Sequence, residues 1–571
     1  MPRFFSVSLV LQVVVVLLGT GALPVLAQNE TEGFKNDIGD IHVVFPGDED
    51  YVSVSAAFNQ RFEAHPFAVT FPTNTEQVST VVQAGAKYNL GVVARSGGHS
   101  YIANGLGGTS SSSTVVVDLS QMKNITIDPS TFKARIETGN RLGDVALALN
   151  EKGRGLPHGR CSYVGIGGHS GEYLYIYVCS YGVGYGFGGW GFASRMWGLT
   201  LDNILSATLV LANGTIAEVS EDSHSELFWG IRGSAPSFSI TTSILFKTHP
   251  VPPSGGMMFQ FLWDVPTSNA TQALKAYQSW ALDPQLPSNI GADFGVIKGS
   301  ATGRVGVILF GIYFSSIPGQ TLLEVETEAN QTLASFLSQS GLPSPDTTIS
   351  SLGSNVFSGS WIDVLSSAAL PTDVLNTTAG GHDGNDTFYA KSIMVPEEEP
   401  LTEGAVEGMM EYLGTNGFES DLFWAIEIDL YGGPHSALHD VPPDATAFAH
   451  RDTLMTFQIY IASNDRLPPF PDEGLAFADD IASSVTSNMP DDWNYGCVAK
   501  ALLCFIRRFL ALLHDLLAHF SKLLNSAYPN YLDDRLPDWQ HRYYGSHYPR
   551  LEALKASVDP EDVFRFPLSV E

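Results

Sequence analysis

Two short runs of the chain set nucleophilic side chains among small residues. One is Arg95-Ser96-Gly97-Gly98-His99-Ser100-Tyr101; the other is Gly159-Arg160-Cys161-Ser162-Tyr163-Val164-Gly165-Ile166-Gly167-Gly168-His169. Glycine lets backbone approach a bound molecule closely, so both runs are candidate ligand loops. The ligand class is narrowed by elimination. A Rossmann fingerprint fails in the second run, where the third glycine position falls on Ser170. Gly184, Gly186 and Gly189 fit that spacing, but in a glycine-rich run that matches in more than one register and opens no clear helix. No Walker lysine follows either loop, and neither a His-Glu-x-x-His zinc motif nor a Gly-x-Ser-x-Gly elbow occurs. A third candidate is the run Leu422 to Gly433, where alternation puts Glu427, Asp429 and Tyr431 on one strand face. Such a face suits a substrate cleft, and equally the solvent side of an antiparallel sheet. From the residues alone, His99 is as readily a hydrogen-bonding loop histidine and Cys161 a small buried hydrophobe.

The elements that must hold these loops are legible. A strand is expected at Phe67 to Phe71, ended by Pro72. Thr73 or Asn74 can cap a helix with Val78, Val81, Val82 and Ala86 on one face. After Gly91 a strand, Val92 to Ala94, runs straight into the His99 loop, and another follows at Thr114 to Val117. A helix from Leu142 to Lys152 precedes the Cys161 loop. Asn213-Gly214 turns a hairpin between Ala207–Ala212 and Thr215–Val219. The region reads as mixed α+β with glycine loops at strand ends. Pro250 to Pro253 marks a boundary. Beyond it, strands are expected at Met257–Trp263 and Val305–Phe314, and helices at Ser268–Trp280 and Leu322–Leu337.

The chain as a whole sets the bounds. Its 571 residues exceed one compact core, so two domains are expected. A net charge of -30 disfavours nucleic acid and anionic lipid and leaves a neutral or cationic small molecule as the natural partner. Residues 1–27 read as a secretory signal peptide, with an apolar Leu9–Leu18 stretch and a Val25-Leu26-Ala27 cleavage site. Sequons at Asn29, Asn124, Asn213, Asn269, Asn330, Asn376 and Asn385 support an exported glycoprotein.

At the two glycine loops the chain resembles the berberine-bridge-enzyme-like flavin oxidases, within the vanillyl-alcohol-oxidase (PCMH-type) FAD-binding fold. The resemblance continues through Gly198-Leu199-Thr200-Leu201-Asp202-Asn203 and Leu227-Phe228-Trp229-Gly230-Ile231-Arg232-Gly233. It resumes at Asn530-Tyr531-Leu532-Asp533 and Tyr543 to Pro567. It implies an α+β fold: a PCMH-type FAD domain over residues 33–250 that takes back a C-terminal segment, 527–571, and an antiparallel-sheet substrate domain covered by helices over 251–496. It implies FAD linked twice, through His99 and Cys161. Arg95, Ser96, Gly97, Gly98, Ser100, Val164, Gly165, Gly167, Gly168, His169, Ile240 and Asn530 would line the cofactor. It implies Tyr531 as the base, with Asp429 taking the phenolic proton, and no metal. Tyr431 and Tyr528 would be wall residues. One departure stands out: Phe238-Ser239-Ile240-Thr241-Thr242, preceded by Ala235 and Pro236, replaces a smaller, glycine-containing stretch beside the cofactor in relatives.

Two segments interrupt the pattern, 172–186 and 497–526. Both are read as intron sequence kept in the translation, with a real surface loop and a real amphipathic helix as the alternative. Without them Cys161 is the sole cysteine. The implied reaction is oxidation of a sugar or other alcohol with O2 as acceptor and hydrogen peroxide as product. Tailoring of a secondary metabolite, by ring closure or desaturation, and a non-catalytic glycoprotein are the alternatives.

Overall fold

The structure, a computed structural model, describes residues 30–168, 188–345, 354–369, 374–379, 384–490, 493 and 526–571. The expected leader 1–27, His169, the segment 172–186 and all of 497–526 except Ser526 lie outside the described residues.

Strands β1 (His42–Val44), β2 (Ala68–Phe71), β3 (Gly91–Arg95) and β4 (Thr114–Asp118) form a sheet in the order β1-β2-β4-β3. The last three run parallel, which requires a crossover between β2 and β3. Helix α1 (Thr75–Lys87) supplies it. The Asn74 side chain accepts from the Gln77 amide at 2.9 Å, and Glu76 and Lys87 sit at the ends that suit their charges. Val78, Val81 and Val82 are fully buried, as their spacing predicts. β3 ends at Arg95, so the sheet delivers the first glycine loop at a parallel-strand C-terminus.

A second, antiparallel sheet holds β5 (Ile125–Ile127), β6 (Ala134–Glu137), β7 (Ile204–Val210), β8 (Ile216–Ser220) and β9 (Ile240–Phe246), ordered β5-β6-β9-β7-β8. The expected hairpin is β7–β8, shifted by up to three residues. Helix α2 (Leu142–Asn150) leads to the second loop; the Leu142 and Gly143 amides donate to Val164 and Ser162 carbonyls at 2.9 and 3.0 Å.

The third sheet holds seven strands among the described residues: β10 (Gly256–Pro266), β11 (Ile290–Lys298), β12 (Arg304–Phe314), β13 (Asn355–Gly359), β14 (Phe388–Pro396), β15 (Phe423–Leu430) and β16 (Thr453–Ala462). It is antiparallel, in the order β13-β10-β12-β11-β15-β16-β14. One face is apolar. Phe259, Phe294, Leu309, Ile428 and Phe457 pack there under α3 (Thr267–Ala281), α4 (Leu322–Ser340), α5 (Glu403–Tyr412) and α6 (Asp472–Thr486). Each such side chain contributes about 1.5–3 kcal/mol by leaving water. The opposite face turns toward the first two sheets, and Phe310, Ala425 and Tyr460 share a core there with Trp190 and Tyr528.

The C-terminal segment closes onto the first sheet. The Val92 amide donates to the Val563 carbonyl at 2.8 Å. Lys555 at the end of α7 (Tyr548–Val558) is 3% exposed and donates to Ser237 O, Phe564 O and the Asp559 carboxylate. The chain is thus α+β, as its sequence implies, with an antiparallel sheet roofed on one side by helices.

Candidate active site

A long cavity runs between the end of β3, the start of β9 and the C-terminal segment. It encloses about 1010 Å³, open solvent at its mouth included. Of the residues expected at a cofactor, Arg95, Ser96, Gly98, His99, Ser100, Gly167, Gly168, Ile240 and Asn530 line it. His99 is 2% exposed, with its ring 4.3 Å from that of Phe58. Arg95 lines the wall with its guanidinium committed: Nε donates to Asp118 at 2.5 Å, and Nη1 to the Val54 carbonyl. The Ser96 hydroxyl donates to Thr138 O and accepts from the Gly167 amide, tying the two loops together.

Gly97, Gly165 and Val164 do not line this cavity. A Cβ on Gly97 would lie 2.1 Å from the Gly165 nitrogen, and one on Gly165 would lie 2.1 Å from the Gly97 nitrogen. These glycines let the two loops cross backbone to backbone and lie off the cavity lining. Val164 is fully buried in the core beside them. Cys161 is 2% exposed, away from the lining, and its sulfur is in a disulfide. The other cysteines, Cys179, Cys497 and Cys504, are all outside the described residues.

The cavity fits a long polar cofactor. Ser239 Oγ and Thr241 Oγ1 are buried on its wall and have no hydrogen-bond partner in the protein. Buried hydroxyls left so are costly unless a bound group satisfies them. The departure seen at Ser239 to Thr242 thus adds donors to this wall.

Above the cavity, the C-terminal segment meets the third sheet. Tyr531 is 1% exposed and its OH donates to Asp429 Oδ2 at 3.0 Å. The Tyr531 ring stacks on Tyr101 at 6.2 Å and meets Tyr528 edge-on at 5.0 Å. The Tyr528 OH accepts from the Gly189 and Trp190 amides and the Asn530 side chain. Tyr431 stacks on Trp190. Glu427 is 5% exposed and Asp429 and Tyr431 are fully buried, so this strand face looks inward and the solvent-face alternative is excluded. Burial, then the charge of Asp293, pushes the Asp429 carboxyl well above the usual range, with the Tyr531 hydrogen bond opposing. Burial first, then Asp429, raises the Tyr531 phenol as well.

Sequence reasoning missed three residues here. Asp293 on β11 pairs directly with Asp429, Arg160 lies 3.6 Å from Glu427, and Gln458 donates to the Tyr101 OH at 2.5 Å. Asp293 had a signal, being the lone acid in an apolar strand. Among the described residues no cluster of metal-ligating side chains forms, and no helix is long and apolar enough to cross a membrane.

Comparison with known proteins agrees with this geometry. Residues 66–220 match the family described as an FAD binding domain, and 527–571 match berberine and berberine-like proteins. The xylooligosaccharide oxidase of Thermothelomyces thermophilus is 30% identical, over 97% of this chain and 93% of that one. Among solved structures, a chitooligosaccharide oxidase superposes with a TM-score of 0.76 at 26% identity, over 95% of this chain and 99% of that one. The glucooligosaccharide oxidase of Acremonium strictum, described with a 6-S-cysteinyl, 8α-N1-histidyl FAD, superposes with a TM-score of 0.75 at 26% identity, over 94% and 99%. A cavity with unsatisfied hydroxyls, a histidine loop at a strand end and a closing C-terminal segment are what such a cofactor requires, and the chain belongs to the berberine-like FAD-linked oxidases.

Proposed function

We propose that this enzyme oxidises a hydroxyl-bearing carbon of a sugar or related alcohol. The observation that carries the reading is the Tyr531–Asp429 hydrogen bond, buried beside the His99 cavity. FAD held in this cavity would supply the acceptor for the substrate's hydride and the route of both electrons to O2, giving hydrogen peroxide. Tyr531 receives the substrate hydroxyl proton as its own passes to Asp429. A buried carboxylate with a raised pKa is a stronger proton acceptor than an exposed one, which suits Asp429 to that task. Burial of both groups keeps water from competing for the proton. Ser239 and Thr241 would donate to polar groups of the cofactor, and Asn530 would contact it through its amide.

His99 is proposed as the covalent attachment, with Cys161 as a second one when its sulfur is a free thiolate. The segments 172–186 and 497–526 are proposed as retained intron sequence. A chain lacking them keeps only Cys161, so no disulfide can form there. Transcripts that read through Gly171 into Glu172 and Gly496 into Cys497 would overturn that. The leader and sequons support secretion.

The test combines peroxide release with flavin retention. Oligosaccharides or simple alcohols should yield peroxide, and acid-precipitated protein should stay yellow. His99→Ala should leave at most one linkage, and His99→Ala with Cys161→Ala should release all flavin into the supernatant. Covalent flavin in the double variant removes both assignments.

A further inference from the structure

A second gap opens between the Cys161 loop and the third sheet. It encloses about 310 Å³, open solvent included, and Arg160, Asp293, Gly295, Phe310 and Glu427 line it. Its chemistry is acidic. Asp293 is 3% exposed and Glu427 5%. In the ladder, Asp293 faces Asp429 and Glu427 faces Gly295. The missing side chain at Gly295 therefore leaves room between the two carboxyls. Asp293 Oδ2 and Glu427 Oε2 are buried there without a hydrogen-bond partner. Three carboxyls thus stand near one guanidinium, and Arg160 lies 3.6 Å from Glu427 with its other side over the Phe310 ring at 4.6 Å.

Asp293 and Glu427 share the single Arg160 guanidinium, each keeps one carboxyl oxygen without a hydrogen bond, and a second cation between them offsets the remaining cost of burying two acids. A metal ion fits poorly, because no metal-ligating cluster forms among the described residues. An ammonium group can be held by two acceptors and needs no closed coordination shell. We propose that this gap binds a protonated amine on the substrate, with Asp293 and Glu427 as its acceptors, so that the enzyme favours amine-bearing alcohols. The proposal rests on the oxidase reading, since it sets the amine subsite across the ladder from Asp429. Burial holds both acids toward the neutral form against the pull of Arg160, the charges of Asp293 and Asp429 add to this at Glu427, and a bound cation reverses that preference. The chain's net charge of -30 draws cations toward it.

The test uses the holoenzyme and four probes: a glucosamine oligosaccharide, its N-acetylated form, a neutral glucose oligosaccharide and an aminomethyl benzyl alcohol. A primary amine should lower KM by about tenfold or more relative to the neutral sugar. Glu427→Gln and Asp293→Asn should each shrink that ratio by about tenfold. Calorimetry with the glucosamine alditol on holoenzyme kept free of O2 reads binding without turnover, and both variants should weaken it. If the aromatic amine is preferred, the same subsite holds and the substrate is not a sugar. Equal KM for amine and neutral sugar, or alditol binding unchanged in both variants, overturns the proposal. Peroxide from neutral sugars with no advantage for amines sinks the subsite and spares the oxidase. Alditol binding that the variants weaken, with no peroxide from any probe, sinks the oxidase reading and spares the subsite.

Discussion

At the residue scale the chemistry concentrates in one hydrogen bond. Tyr531→Phe removes the phenolic oxygen without changing the shape of its stack on Tyr101. It should lower turnover by about 10²–10⁴-fold while the flavin absorbance stays. A rate within about threefold of wild type would move the base elsewhere. The acid pair also sets a pH dependence. Asp429 must be ionised to take a proton, and burial raises its pKa, so kcat/KM should rise with pH along a limb above the ordinary carboxylate range. Asp293, pushed up to about 7 by burial against the opposing pull of Arg160, has a matching effect on stability. The folded chain keeps this proton to higher pH than the unfolded chain, so Tm should fall as pH rises from about 4 to about 7. Asp293→Asn should flatten that fall; an unchanged Tm–pH curve would show that Asp293 titrates normally.

At the element scale the two glycine loops carry the argument. Their motif was plain in the sequence, and its glycines meet two kinds of neighbour. Gly98 and Gly168 line the cavity, whereas Gly97 and Gly165 face each other. A glycine looks the same in sequence whether the close neighbour is a cofactor or another loop. Gly165→Ala should therefore act on folding first. A methyl 2.1 Å from backbone nitrogen forces the loops apart, costing about 1–3 kcal/mol or more in denaturant unfolding and loosening flavin as a consequence. Equal stability with weakened flavin binding would return Gly165 to the cofactor. Elements set by local rules were read closely: α1 with its Asn74 cap, α3 and α4, and the β7–β8 turn. The short strands β5 and β6 were missed, because three or four residues carry too little periodicity.

At the scale of the whole molecule, the sheets are held to one another by buried polar contacts. Arg451, just before β16, donates to both oxygens of Asp202 at 2.7 and 2.8 Å, and each side chain is 4% exposed. Asp202 also accepts from the Leu199 amide at 2.8 Å. Arg195, 1% exposed, donates to the carbonyls of Pro287, Ile290, Gly432 and Pro434. Arg451→Met leaves the buried Asp202 carboxylate without its cationic partner and should cost about 3–5 kcal/mol by chemical unfolding. A loss below about 1 kcal/mol would mean that water replaces the guanidinium.

By itself the sequence determined the α+β class and the two glycine loops, because those depend on short motifs and local periodicity, and its resemblance to the flavin oxidases supplied the candidate base. The tertiary structure alone decided which face of β15 is buried, that Asp293 stands opposite Asp429, and which glycines meet a cavity and which meet backbone. These are matters of strand register and of loops brought together from far along the chain, and no local pattern encodes the distance between them.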